Sequence, residues 1–559
     1  MARSIVALAI MLFPQYTRAD LPLHERIDRA IESALEGPPA APASDAEFLR
    51  RAYLDLAGMV PTSTEARVFL DDPSPYKRER LIDTLLSGPR FARRMRDVFD
   101  VAWMERLPDK YVPSAAWRAF LLRAFQENRP YDQIVREVLS ADGTDPATRP
   151  AAKFLLDREA DANNLTRDMG RMFLGRDMQC AQCHDHPLID DYKQAHYYGL
   201  FAFVSRTTLY DQPGAGKVLA EKGEGDVTFT SVFKKKITNA TGPRLLDGPA
   251  IAEPAIAKGQ EYFVGPKEKA RTVPAFSRRA QLPNALLTTD VSAFDRAIAN
   301  RLWSVLMGRG LVHPLELDHS GNPPSHPELL DDLTRSIKAM KYDMRAFLRE
   351  VALTRAYQRS SEPRPEASDS QMEPSRYAVA PLRKLSPEQL GWSVMQALGF
   401  VEASRRGAED RYLTRDPKMR DILETTVGKR QRAELLEAAV EDQLAGNLGP
   451  FIQRFAAAPG QPQDAGDPTV HQALFLANGE PIQSWLNPSG VNLTARLNAL
   501  TDPGAIGEEL YLSILSRRPA EEERAEVAQH LKDRDKDKGP AIKELAWALL
   551  SSAEFRFNH

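Results

Sequence analysis

FLRRAYLDLAG, Phe48–Gly58, and RERLIDTLLSG, Arg78–Gly88, place apolar residues three and four apart with charges between them, the spacing of one buried helix face. Their punctuation agrees. Thr62 followed by Glu65 has the spacing of a capping box, and Gly58 and Gly88 stand where helices would stop. The same periodicity predicts helices at Trp117–Glu127, Tyr131–Leu139, Asn163–Phe173 and along YYGLFAFVSR up to Arg206. It returns over Val291–Met307, Glu328–Met340, Met344–Leu353 and Lys429–Gln443, from His471 onward, and in a last helix through WALLSSAEF. Ser325 and Glu328, with Pro327 between them, read as a second capping box, and Ser386-Pro387-Glu388 as a further helix start.

Between Thr207 and Leu282 the composition shifts to glycine, proline and lysine with short β-prone runs such as DVTFTSVF and KKKITNA. Lys234 to Lys236 read as a solvated strand edge, where lysine discourages pairing. The expected architecture is mainly α: two α-helical domains, residues 46–206 and 283–559, separated by a small β-rich insert or linker at 207–282. A helical lead-in at 20–45 precedes them, and Ser361–Arg376 and Ala456–Pro468 read as exposed insertions.

The 559 residues are 43% hydrophobic and 27% charged, ample for packed cores and far from the composition of a disordered chain. Lys and Arg number 74 against 77 Asp and Glu, so the basic excess that phosphate neutralisation needs is missing and nucleic acid is not an expected partner. Arg3, the nine-residue apolar run Ile5–Phe13 and the small-residue end at Ala19 predict a secretory signal over residues 1–19. That run is too short for a bilayer, which takes about 20 helical residues, and no later stretch serves as a transmembrane segment. The expected location is therefore secreted, periplasmic or at the cell surface.

Both cysteines fall within Cys180-Ala181-Gln182-Cys183-His184-Asp185-His186-Pro187. C-x-x-C-H is the attachment pattern of haem c: each thiol takes one vinyl group, and the histidine beside the second sulfur becomes the proximal iron ligand. Cys180, Cys183 and His184 are thus the candidate haem residues. On a helix His186 would project about 200° from His184, a poor position for the opposite face of the same iron. His196, beyond the Pro187 turn, is the candidate distal ligand, ahead of Met172 and His471; His326 is accounted for by its helix entrance. Three other readings stay open. Cys180, Cys183, His186 and His196 would make a two-thiolate, two-imidazole zinc site bracing a non-redox binding or assembly protein. The cysteine pair would serve as a redox disulfide, although the βαβ setting of such pairs is missing. His186 and His196 with Asp185, Asp190 and Asp191 would hold a hydrolytic metal, although no general base is evident; these acids otherwise read as exposed loop residues or as partners orienting the imidazoles. There is no G-x-S-x-G, no H-E-x-x-H and no phosphate-binding loop; Gly214-Ala215-Gly216-Lys217 lacks the spacing and the following Ser or Thr. Glu521-Glu522-Glu523 reads as a solvated helix face.

Several stretches in order, among them FLRRAYLDLAGMVPTSTEARVFL, FLGRDMQCAQCHDHP, AIANRLWSVLMGRGLVHPLE, NPPSHPELLDDL, KLSPEQL, YLSILSRRP and ELAWALLSSAEFRFNH, resemble paired domains of unknown function in large exported planctomycete proteins. The likeness covers about residues 46 to 206 and 283 to 559. The N-terminal member is of the cytochrome-c-associated PSCyt type and the C-terminal member of the PSD type. The resemblance implies export and a C-A-Q-C-H-D-H-P motif, here Cys180 to Pro187, but no established activity. Many relatives carry a separate cytochrome-c-like domain ahead of the pair; only about 25 residues lie between Ala19 and the first domain, so that module is expected to be absent here. The function expected from the C-x-x-C-H pattern itself is single-electron transfer or redox sensing through haem c, with an exported protein or a polysaccharide as partner.

Overall fold

Ser44 and Thr62 open the helices on either side of the FLRRAYLDLAG stretch. Ser44 Oγ accepts the Glu47 amide at 3.2 Å and starts Asp45–Ala52; Thr62 and Glu65 exchange both capping-box bonds and start Ser63–Asp71. The computed structural model, which describes residues 21–233, 236–246, 248–267, 270–287, 292–415, 426–461, 463 and 469–559, shows a π-helical turn over Tyr53–Ala57 between them. Gly58, at φ 73°, ends that turn in the left-handed region. The wider turn carries Asp55 into the interior, where its carboxylate accepts from Arg383, from the Tyr357 hydroxyl at 3.0 Å and from Asn558 Nδ2 at 2.8 Å. Arg50 and Arg51, also buried, donate to the carbonyls of Phe555, Tyr357 and Arg359.

The fold is mainly α with a small β-containing region between the helical parts. Its larger core gathers Phe48, Trp103, Trp117, Tyr131 and Phe173 from the first helical part with Phe294, Trp303, Phe347 and Tyr357 from the second. Phe294 stacks on Tyr131 with ring centroids 5.3 Å apart. Each such ring buried is worth about 1.5–3 kcal/mol, so helices on both sides of residues 207–282 depend on this one core. A second core is built by Leu390, Leu398, Leu493, Leu510, Ile542 and Phe555, and Leu54 and Val60 reach into it from the first part.

Among the described residues, 207–282 hold three antiparallel strand pairs: Thr207–Gln212 with Gly216–Glu221, Val227–Thr230 with Thr238–Thr241, and Tyr262–Val264 with Val273–Pro274. Val227 and Phe229 face inward and Thr228 and Thr230 outward, the period-two alternation of a half-buried strand. Lys236 lies in the turn of that hairpin rather than on a strand edge; Lys234 and Lys235 lie outside the described residues, as do residues 1–19 with the expected signal and part of the 456–468 insertion.

Two helix boundaries depart from the sequence pattern. His326, not Ser325, is the residue before helix Pro327–Ala339; Ser325 Oγ is spent on His326 Nδ1 at 3.1 Å, so no capping box forms there. The terminal WALLSSAEF run is two helices, Lys538–Ser551 and Ala553–Arg556, because Ser552 breaks the first and caps the second through the Phe555 amide. Phe557–Asn558 then pairs with Arg383–Lys384. Among the described residues no helix is long and apolar enough to cross a membrane.

Candidate functional site

Helix Ala162–Leu174 ends at Gly175, whose φ of 63° and whose approach to the Leu315 carbonyl, 3.2 Å from where a Cβ would stand, both call for glycine. The chain then tightens into a 3-10 turn, Gln179–Gln182. Ala181 is fully buried and pins this turn to the core, which leaves the flanking Cys180 and Cys183 exposed, with free thiols. The Cys183 amide donates to the Cys180 carbonyl at 3.3 Å, and the Cys183 carbonyl accepts the Val232 amide at 3.1 Å. That bond brings the second hairpin against the motif with Val232, Phe233 and Ile237 exposed, and Phe233 lies over His184 at 4.9 Å. Leu188, 88% exposed, adds a further apolar side chain in the loop that follows. Exposed apolar side chains thus border the Cys183–His184 end of the motif.

The three histidines of this region differ in which nitrogen carries the proton. His184 Nδ1 lies 2.7 Å from the Asp185 carbonyl, which can only accept, so Nδ1 holds the proton and Nε2 presents a lone pair. His186 is the reverse. Its Nδ1 accepts from the amides of Leu188 at 3.2 Å and Ile189 at 3.0 Å, so the proton sits on Nε2 and neither nitrogen offers a lone pair to a metal. His196, 2% exposed on helix Gln194–Val204, donates from Nδ1 to the Asp191 carbonyl at 2.8 Å. The chain from His184 to His186 is not helical, so the 200° separation expected between them is not realised; hydrogen bonding instead distinguishes the two rings.

Helix Gln194–Val204 is tied to the motif by polar contacts. Asp185 Oδ1 accepts the Gln194 amide at 2.8 Å, at the positive end of a helix whose own N-terminal residue, Lys193, provides no side-chain cap. Gln194 Nε2 reaches the carbonyls of Gln182 and Thr230, and the Tyr198 hydroxyl also donates to Gln182. Asp191 Oδ2 accepts the Ser320 amide and Asp190 is exposed. Met172 is buried with its sulfur 3.8 Å from Arg158, and His471 is exposed on helix Val470–Asn478.

His319 was not singled out by any motif, yet its ring meets Tyr192 edge-on at 5.2 Å, and Tyr192 in turn meets His186 at 6.1 Å. Burial holds the His319 imidazole below its ordinary pKa of 6.5. Its only sequence signal is a histidine in the loop ahead of the NPPSHPELL helix entrance, which carries no long-range information. Among the described residues no group of three or more His, Cys, Asp and Glu is arranged to hold a metal ion.

No curated protein and no solved structure is detectably similar to the chain. Two domain families do match: PSCyt2, described as a protein of unknown function (DUF1549), over residues 26–208, and PSD1, likewise of unknown function (DUF1553), over residues 278–531. The first holds the cysteine motif and the second holds His319. The chain belongs to the family of proteins that pair a PSCyt2 domain with a PSD1 domain.

Proposed function

We propose that the chain is an exported protein that carries haem c on Cys180 and Cys183, with the iron held by His184 Nε2, and that it transfers or senses single electrons. The observation that carries this reading is the pairing of two free, exposed thiols on one turn with a neighbouring imidazole whose proton is fixed on Nδ1. Haem, when bound, supplies an iron that changes by one electron between ferric and ferrous states. Cys180 and Cys183 would hold the group through thioethers to its two vinyl arms, and His184 would bind its iron. Asp185 has two duties. Its carbonyl orients His184, and its carboxylate fixes the following helix, so ring and helix are positioned by one residue. Phe233 and Val232 are exposed apolar side chains beside the motif that an apolar ring would cover.

His196 is the candidate for the sixth position, on the helix that Asp185 and Gln194 tie to the motif. A filled sixth position favours electron transfer over small-gas or peroxide chemistry. The helical bulk beyond the motif is assigned to recognising an exported protein or a polysaccharide. Zinc in place of haem is disfavoured by the proton on His186 Nε2.

The test is a pyridine haemochrome spectrum with elemental analysis on the mature protein, co-expressed with a haem-attachment system. One covalent haem per chain is expected, with one thioether lost in Cys183→Ala and a low-spin to high-spin change in His196→Ala. Stoichiometric zinc without covalent haem, or a colourless protein, overturns the reading.

A further inference from the structure

Three polar atoms at the seam between the two family-matched segments are buried without a hydrogen-bond partner: Arg176 Nε, Tyr192 Oη and His319 Nδ1. Buried donors are nearly always paired, so three in one place call for a missing acceptor. The backbone brings them together. Arg176 bridges Leu317, the Asp177 amide donates to the Glu316 carbonyl at 2.7 Å, the Asp318 amide to the Gly175 carbonyl at 3.0 Å, and the Ser320 amide to Asp191 Oδ2 at 2.5 Å. Tyr192 is 2% exposed and packs edge-on against His319. The carboxylates nearby are already engaged: Asp318 with Arg296 at 2.7 Å, Asp177 with the Gln179 amide at 3.1 Å, and Asp191 with Ser320.

We propose that Arg176, Tyr192 and His319 form a carboxylate-binding pocket where the loop after the cysteine motif meets the loop ahead of helix Pro327–Ala339. One guanidinium supplies one positive charge, and a carboxylate offers enough lone pairs to accept from the guanidinium, the phenol and the imidazole together. Asp177, Asp191 and Asp318 repel a dianion such as phosphate about twice as strongly as a carboxylate, which Arg176 and the two neutral donors must hold against that repulsion. Burial keeps the Tyr192 phenol protonated and the His319 ring neutral, so neither is a competing charge; the proposal takes the His319 tautomer with its proton on Nδ1 as the donor.

The carboxylate has two sources, a free small acid or a propionate arm of haem held on the neighbouring motif, and the experiment separates them. Carbon-13 acetate is titrated by NMR into the full chain prepared without haem attachment. Saturable binding at one site is expected, weakened about tenfold or more by Arg176→Gln and by Tyr192→Phe. In acetate-free buffer Tyr192→Phe, which deletes one unpaired oxygen, should unfold at the parent's temperature or above it. Repeating the titration on haem-loaded chain assigns the source: acetate excluded by loading identifies a propionate as occupant, and acetate still bound identifies a free acid. Absence of saturable binding to the haem-free chain, or binding that both substitutions leave unchanged, overturns the proposal whether or not the cysteines carry haem.

Discussion

Replacing Asp185 with alanine should loosen the cysteine motif without unfolding the protein. The Asp185 carboxylate accepts the Gln194 amide at 2.8 Å and does the work of a cap for helix Gln194–Val204, whose Lys193 makes no capping bond. Loss of such a cap costs about 0.5–2 kcal/mol. At about 1.4 kcal/mol per factor of ten, amides in the first turn should open about 2- to 30-fold more often. Asp185→Asn keeps an oxygen and gives up only the attraction of the charge to the helix dipole, about 0.3–1 kcal/mol, or about 2- to 5-fold. His184 bonds the main-chain carbonyl of Asp185, so its tautomer and any haem uptake should survive both changes. Hydrogen–deuterium exchange followed by mass spectrometry over residues 180–204 reads the effect, with Asp190→Ala as the exposed acidic control. If Asp185→Ala exchanges no faster than Asp190→Ala, or if the gain extends into peptides around Phe48 and Trp103, the capping role is wrong.

Asp55→Ala strips the partner from Arg383, Tyr357 and Asn558 at once and should cost about 3–5 kcal/mol in a denaturant titration; a loss below about 1 kcal/mol would contradict its place as a buried link between the cores. His326 is 7% exposed, and burial, with a smaller push from Arg376, lowers its folded pKa below 6.5. The unfolded chain therefore takes up a proton that the folded chain refuses, so stability should fall as pH drops below about 6.5, by up to about 1.4 kcal/mol per pH unit for this group. Melting curves between pH 7 and 5.5 should be less steep in pH for His326→Gln, and an unaltered slope would remove His326 as a cause. At Gly199 a Cβ would stand 2.6 Å from Arg244 Cγ and 2.9 Å from the Arg244 carbonyl, so Gly199→Ala should lower the melting temperature by the equivalent of about 1–3 kcal/mol; an unchanged midpoint would show that the Arg244 segment yields freely.

How far the fold could be read from sequence depended on the range of the information. Met344–Leu353 falls where the spacing placed it, because a three- and four-residue apolar rhythm is a local property of a helix on a core. Thr62 and Glu65 cap a helix for the same reason. The π turn at Tyr53–Ala57 was not legible: nothing within five residues distinguishes it from an α turn, and its justification is Arg383, Tyr357 and Asn558, more than 300 residues away. Periodicity also says that Phe294 faces a core without saying that Tyr131 is waiting there. Ser325 shows the limit of a capping rule, since a neighbouring imidazole claimed the hydroxyl first.

The candidate site divides in the same way. Residue types and spacing in C-x-x-C-H-D-H-P could be read directly, but the protonation pattern could not, because it depends on which carbonyl or amide each ring meets. His184 turns its Nδ1 to a carbonyl and keeps a ligand nitrogen, whereas His186 turns its Nδ1 to two amides and loses one. Two identical letters thus have opposite chemistry. The second half of the motif then has an architectural explanation: Asp185 holds the helix that carries His196, and His186 closes the loop that delivers Tyr192 to His319. Cys180 and Cys183 remain as the residues whose side chains the fold does not engage, two exposed free thiols on a well-anchored turn beside the His184 ring. The haem proposal therefore rests on these three groups, two exposed thiols and a half-buried imidazole with its Nδ1 engaged, and not on the remainder of the motif.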